Sequence, residues 1–444
     1  MKIILLSLFL VIMLNCSFDN KTGIWSGQIQ ENEVKKDSTI GKIVNTKEKL
    51  FSEERNVDNE NSILIEKAIK IDNWTSFYSN DKNLIPNIKF DFTEKSTFLS
   101  YKKIAGSIVH TPIIFKKTII FSNDKGDIFI YDLNSNESIT KINFYKKKYK
   151  KIKKKLYLKI LENKLFVADN LGYLYSYNLS DKKFIWAKNY GIPYRSEVKI
   201  TDGQLIVSNQ DNTIFSYDVL NGSILWKFNL KNSFIKTKLD NSLVIDKDLK
   251  SLFVHTTEGE IYSINYLEKR INWLFNLKRT AISSDFDVFY NYPVVIQNNN
   301  IFTGSNNRFT SFDKITGQKK WELNLKLSSL PLISNNFSFV HTQSDYLICI
   351  DNSTGKILWS KNIYKEYKKK TDKLKNLKSK NIVRFILLNN KISLIYSSGK
   401  IANFNYKNGE FISFDDTKKT ISNPPIFGDN KLIFFSKKKM MSLM

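Results

Sequence analysis

The sequence predicts an all-β chain, an eight-bladed β-propeller of four-stranded antiparallel blades closed by an N-terminal strand, with seven blades as the alternative. Three observations predict it. First, a turn is followed six residues later by Asp or Asn in seven places: Gly126 and Asp132, Gly172 and Asn178, Asn212 and Asp218, Gly259 and Asn265, Asn307 and Asp313, Asp345 and Asp351, Gly399 and Asn405. Second, the intervening segments, such as "DIFIYD", "TIFSYD" and "YLICID", are short, aromatic and β-branched, as strands are. Third, these units recur about every 38 to 54 residues, the length of a four-stranded blade. The period-2, β-rich pattern excludes a helical solenoid.

Each unit supplies its strands in order. The first is often led by Pro, as in "TPIIF", "YPVVI", "LPLIS" and "PPIF". The second reads "KLFVAD", "QLIVSN" or "SLFVHT", and the third ends on the Asp or Asn. A second turn then leads to a fourth strand. The strands are apolar on both sides of the alternation, which fits blades packed face to face. An eighth unit begins at "NPPIFGDNKLIFFSKKKMMSLM", and the chain stops before its fourth strand. Pairing an N-terminal strand there would remove both free edges. "IDNWTSF", with Trp74, is the expected closing strand, and "STFLSYKKI" at 96–104 is the second candidate.

The fourth strand carries the most regular feature. Trp186, Trp226, Trp273, Trp321 and Trp359 each stand eight residues after their Asp or Asn. One spacing in five units makes them a structural clasp between blades rather than a cofactor box. In "IDNSTGKILWSKN" the Asp is expected to bond the following amides, and Gly355 to accept a backbone angle other residues resist. Looser packing is expected where the Trp is missing, around 135–140 and 408–414.

Upstream of the ring, Lys2 precedes an apolar run from Ile3 to Leu14, the length of a signal-peptide core and too short to span a bilayer. Residues 1–15 are therefore expected to be a signal peptide. Cys16 directly follows, resembling a lipoprotein lipobox with Asn15 where Gly or Ala usually stands. Cys16 is the expected lipidation site, and its acyl chains the membrane anchor. Residues 16–70 are polar and mixed in charge, expected as a flexible tether of roughly 40 Å reach, with the propeller over 71–444. The only other cysteine is Cys349, so no internal disulfide is expected. It occupies the repeat position of Ser176, Ser216, Ser263 and Ser311, which marks it as a small packed residue.

The net charge is +26, nearly all of it Lys. Base readers favour Arg, and an exported chain does not meet nucleic acid, so no nucleic-acid partner is expected. Two Lys-rich insertions, 145–155 and 364–381, fall between the outer strand of one blade and the inner strand of the next. They read as solvated charge runs or as contacts to a membrane or acidic partner.

His255 and His341 both lie in Phe-Val-His-Thr, at one repeat position filled in two non-adjacent blades, and are not expected to bind metal. There is no Gly-x-Ser-x-Gly, His-Glu-x-x-His, phosphate loop or Cys-x-x-Cys. No catalytic residue, metal, cofactor or small-molecule substrate is expected.

The repeat "IDNSTGKILW", with its Asp, Thr-Gly and Trp, resembles that of the quinoprotein (PQQ-type) propellers over roughly residues 71 to 444. Within that superfamily, an exported lipoprotein made of one propeller resembles the BamB family of the outer-membrane β-barrel assembly machine. The resemblance implies a non-enzymatic scaffold that binds the barrel-forming subunit through loops on one rim. It implies an outer-membrane, lipid-anchored location facing the periplasm. "SSDFDVFYNYPVV" resembles a family stretch of spaced acidic residues before Pro-Val-Val, which makes Asp285, Phe286 and Asp287 the expected partner-binding residues. The alternatives are a quinone-dependent dehydrogenase on the same fold and a surface-exposed ligand-binding or adhesin lipoprotein.

Overall fold

The computed structural model describes residues 16–18, 25–27, 50–91, 99–100, 106–108, 110–134, 138–232, 238–278, 289–370, 377–436 and 441–443. The chain forms two compact units, residues 1–49 and 50–444. In the first, Cys16–Phe18 pairs antiparallel with Trp25–Gly27. The leader residues 1–15 and the side chain of Cys16 lie outside the described residues.

The second unit is the propeller. Among the described residues it holds eight four-stranded sheets. Seven are built from consecutive strands, starting at Ile113, Leu156, Lys199, Ser242, Val295, Leu332 and Ile382. We number them blades 1 to 7. Blade 8 joins Ile426–Gly428, Lys431–Phe435 and Met441–Leu443 to Leu99–Ser100 as its outermost strand. The second strands are buried on both sides of the alternation, as Leu165, Phe166, Val167 and Ala168 of blade 2 are. The core is therefore a series of layers between blades. One such layer packs Phe166 and Leu174 of blade 2 against Val198, Leu205 and Val207 of blade 3. Tight turns join first to second strands, with left-handed residues at Asp202–Gly203, Asn389–Asn390 and Asp429–Asn430. Asn, Asp and Gly are the residues that tolerate this geometry.

The closing strand differs from the first expectation. Leu99 pairs with Leu443 and Ser100 with Ser442, so the 96–104 candidate closes the ring. Trp74 instead exchanges backbone hydrogen bonds of 2.9 and 2.8 Å with Ile114, on the free edge of the innermost strand of blade 1. Its ring is fully buried beneath the Arg384 guanidinium, 5.4 Å from the ring centroid. Trp74 is thus tied to the ring's inside rather than its outer wall.

Trp74 belongs to a longer segment with the same habit. Residues 63–90 touch the innermost strand, or the turn beside it, in every blade. Asp429 N–H of blade 8 donates to Ile71 O, and Ile88 N–H donates to Leu387 O of blade 7. Glu66 N–H donates to Ser334 Oγ of blade 6, and its carboxylate accepts from Gln297 of blade 5. Ile245 N–H of blade 4 donates to Asp81 O, and Ile296 N–H of blade 5 to Lys82 O. Lys159 of blade 2 reaches Asp81 at 2.7 Å, and Lys199 of blade 3 reaches Asn83 at 2.8 Å. Innermost strands of a propeller leave their edge amides and carbonyls facing the axis. This segment satisfies them. Residues 50–70, expected as the end of the tether, pack on the ring as well: Arg55 and Ser360 exchange backbone bonds of 3.0 Å, and Ile63 is fully buried.

The fourth strands explain the repeated Trp. In each of blades 2 to 6 the Trp faces a small residue across the ladder, directly after a one-residue bulge. Trp186, Trp226, Trp273 and Trp321 face Ser176, Ser216, Ser263 and Ser311, and Trp359 faces Cys349. The bulge turns the ring towards the next blade. Trp186, Trp273, Trp321 and Trp359 then donate from Nε1 to Val219, Lys314, Asn352 and Tyr406 carbonyls, 2.8 to 3.3 Å away in the next blade's turn. The same rings lie over Gly222, Gly317, Gly355 and Gly409, where an added Cβ would come within 2.5 to 2.7 Å of the indole.

Trp226 is the exception. It donates to Gln204 of its own blade, 2.7 Å away, and the following turn has Lys269 where the others have glycine. Strand-ending carboxylates and amides hold these turns: Asp351 Oδ1 accepts from the Ser353 and Thr354 amides at 2.7 and 3.2 Å. Blade 1 has no Trp, yet its seam with blade 2 is filled by Phe144 stacked on Tyr175, centroids 4.5 Å apart.

Candidate functional site

The strand order places the inter-blade linkers on one rim, opposite the turns between third and fourth strands that carry Gly222, Gly317, Gly355 and Gly409. The linkers enter the innermost strands there, and those leading into blades 1 to 5 line a recess beside the axial segment. The recess has a volume of about 380 Å³. Phe77, Tyr78 and Asn83 of the axial segment form part of its wall, beside His110, Tyr157, Glu197 and Asp240 from four successive linkers or strand starts. Both insertions, 145–155 and 364–381, open on this rim. The second begins with a helix, Ile363–Lys370, whose Ile363 and Tyr367 are buried against blades 6 and 7.

Charges in the recess are paired. Asp240 accepts from Lys155 Nζ and from Tyr157 O–H, both at 2.6 Å. Glu197 Oε2 lies 3.2 Å from Lys199 Nζ, itself fully buried. Burial raises the Glu197 carboxyl against the pull of Lys199. Burial also raises Asp81, but Lys159 and Lys199 outweigh it and hold the carboxyl below its ordinary value. Burial, reinforced by Asp240, pushes the Tyr157 hydroxyl up. Glu197 Oε1, His110 Nε2 and Thr111 Oγ1 have no protein partner. The recess can thus receive a polar side chain or a small polar molecule.

Asp285, Phe286 and Asp287 lie outside the described residues. The linker that carries them returns at Phe289, buried against Gly259, and at Asn291, whose side chain donates to Asp240 O at 3.0 Å. Asn291 and Pro293 line the recess, so that linker ends beside it. Glu197, Lys199 and Asn83 were not singled out from the sequence. The one signal was a Lys inside the apolar start of a strand, in "SEVKIT".

His255 and His341 are buried between blades. His255 Nδ1 lies 2.9 Å from Thr303 Oγ1, whereas neither ring nitrogen of His341 has a partner. Among the described residues no three His, Cys, Asp or Glu side chains gather as a metal site. Burial lowers His110, His255 and His341 to about 4. Their unfolded counterparts titrate near 6.5, so unfolding takes up protons between those values. Stability is full above pH ~6.5 and falls as pH drops through the window towards 4. We expect the melting temperature to fall from pH 7 to pH 5. His341→Leu should remove about one proton's share of that slope. A pH-independent melting temperature would contradict this.

Burial also raises the Cys349 thiol well above its ordinary value, leaving a packed group rather than a nucleophile.

The family model described as outer membrane protein assembly factor BamB matches residues 159–361. Those residues run from the first strand of blade 2 to the last of blade 6, the five Trp-bearing blades. The chain is a β-propeller, and over blades 2 to 6 its repeats are similar to the PQQ-type repeats of BamB. BamB from Moraxella catarrhalis superposes with TM-score 0.57 at 13% identity, over 78% of this chain and 97% of that one. The quinohemoprotein alcohol dehydrogenase from Comamonas testosteroni gives TM-score 0.57 at 9% identity, over 84% and 80%. Sqt1 from Saccharomyces cerevisiae gives 0.55 at 10%, over 78% and 97%. At such identities the structures share the fold alone. No curated protein matches the sequence. The similarity to BamB thus lies in the five blades that carry the repeated Trp.

Proposed function

We propose that this BamB-like propeller is a non-enzymatic, lipid-anchored scaffold of outer-membrane β-barrel assembly. The observation that carries this reading is the match of the BamB family model to blades 2 to 6. The partner is the barrel-forming subunit, held by linkers on the recess side of the ring, where a propeller presents its variable sequence. The anchor is Cys16, and the ring faces the periplasm. Asp285, Phe286 and Asp287 supply contacts from the linker between blades 4 and 5.

Affinity capture from solubilised membranes tests the role: the barrel-forming subunit is expected with the wild type. Asp285→Lys with Asp287→Lys should reduce that recovery at least about tenfold, as reversed charge in an interface does. Unchanged recovery would remove the site assignment, and recovery of no assembly component would remove the scaffold role. The dehydrogenase of the same fold motivates one further assay. Quinone-dependent dye reduction by the purified protein would establish an enzyme instead.

A further inference from the structure

We propose that the outer wall of blades 2 to 4, with the adjoining turn tips of blades 3 to 5, docks on an anionic lipid surface. The first observation is a repeat position. Two residues after the strand-ending Asp or Asn, blades 1, 2, 6 and 7 carry Asn134, Ser180, Ser353 and Lys407. The three adjacent blades 3, 4 and 5 carry Leu220, Leu267 and Ile315 there, 68%, 46% and 59% exposed. All three tips lie on one rim, opposite the recess.

The second observation continues the patch down the wall. Phe184 and Ile185 of blade 2, Ile224 and Leu225 of blade 3, and Ile271 and Leu274 of blade 4 are exposed on neighbouring outermost strands. Ile185 and Leu225 are the extra residues of the bulges that set Trp186 and Trp226, so the device that turns the Trp inward leaves an aliphatic outside. Exposed apolar side chains concentrated on adjacent blades in this way mark a contact.

The composition selects the occupant. Exposed Lys182, Lys183, Lys227 and Lys269 are interleaved with these aliphatics. Of the nearby exposed carboxylates, Glu268 is engaged by Arg270. Protein interfaces are depleted in Lys and anchored by Trp, Tyr and Arg. Here the indoles are turned away into the seams, and what remains is aliphatic side chain with one Phe, interleaved with lysine. That combination fits acyl chains beneath phosphate headgroups. A second copy is disfavoured because the face would set Lys against Lys. This surface is independent of the assembly role, since it lies on the rim away from the linkers.

The test uses the full chain with Cys16→Ser, so that no acyl anchor contributes, and sedimentation with vesicles. Vesicles of phosphatidylcholine and phosphatidylglycerol in equal parts are expected to pull the protein down, and phosphatidylcholine alone to bind it less. Leu220→Ser with Leu267→Ser and Ile315→Ser should weaken that binding about tenfold or more, with an unchanged thermal melt. Lys146→Gln with Lys147→Gln and Lys150→Gln, on the opposite rim, should leave it unchanged. The proposal is overturned if the Ser variant sediments like its parent or if anionic vesicles bind neither chain. It is equally overturned if the variant loses a captured protein, or self-association, while keeping vesicle binding.

Discussion

Trp359→Ala is expected to destabilise the propeller by about 3–5 kcal/mol, seen as a lower denaturation midpoint. The side chain is fully buried, its Nε1 donates to Tyr406 O at 3.1 Å, and it seals the seam between blades 6 and 7 against Gly409. Gly409→Ala should also destabilise, for two separable reasons. Its φ is 74°, which disfavours a side chain, and the new Cβ would meet the indole at 2.5 Å. Only the second reason vanishes when Trp359 is already Ala. The double variant should therefore lose less than the sum of the singles, by about 1 kcal/mol or more. Strict additivity would show that Trp359 and Gly409 do not act as a clasp. Trp226 provides the contrast, since it bonds within its own blade and faces no glycine.

Removing residues 50–91 is expected to abolish the cooperative unfolding transition. The segment contributes Ile63, Trp74, Ile85, Ile88 and Phe90 to buried surface and meets the innermost strand of every blade or the turn beside it. Without it, Ile114, Ile245, Ile296 and Leu387 lose their backbone partners along the axis. Lys159 and Lys199 lose Asp81 and Asn83. Unsatisfied backbone and buried cations each cost kilocalories, and the deletion creates them in several blades at once. Circular dichroism melts would decide it. A transition within a few degrees of the parent would mean that the ring stands without its axial segment. Asn83→Ala, a smaller cut, should cost about 1–3 kcal/mol, because Lys199 then loses one acceptor and keeps Glu197.

The blades themselves were legible because their signals are local. The strand-ending Asp, the turn and the Trp lie within nine residues, and the same spacing recurs seven times for the Asp and five for the Trp. Short strands apolar on both sides of the alternation announced sheets stacked against sheets. The choice of closing strand was not legible. "IDNWTSF" and "STFLSYKKI" are both aromatic and both upstream, and nothing local tells which meets Leu443 at the outer edge and which meets Ile114 at the axis. Nor was the packing of residues 50–70 legible, because beside Ile63 and the Glu66 carboxylate this polar segment meets the ring largely through its backbone. A backbone leaves no trace in composition.

The recess shows the same division. Asp285 to Asp287 stood out by resemblance to a motif, whereas Glu197 and Lys199, at the entry to blade 3, meet Asn83 of the axial segment, more than a hundred residues upstream. The sequence by itself determined that this is a ring of β-blades with a Trp in five of them, because hydrophobic period, turn chemistry and repeat length act over short distances. Only the tertiary structure decided what fills the axis and which strand closes the ring. It also decided which side chains line the recess and which aliphatics stay outside. Those outcomes depend on residues tens to hundreds of positions apart satisfying each other's hydrogen bonds and charges, and no spacing along the chain encodes that.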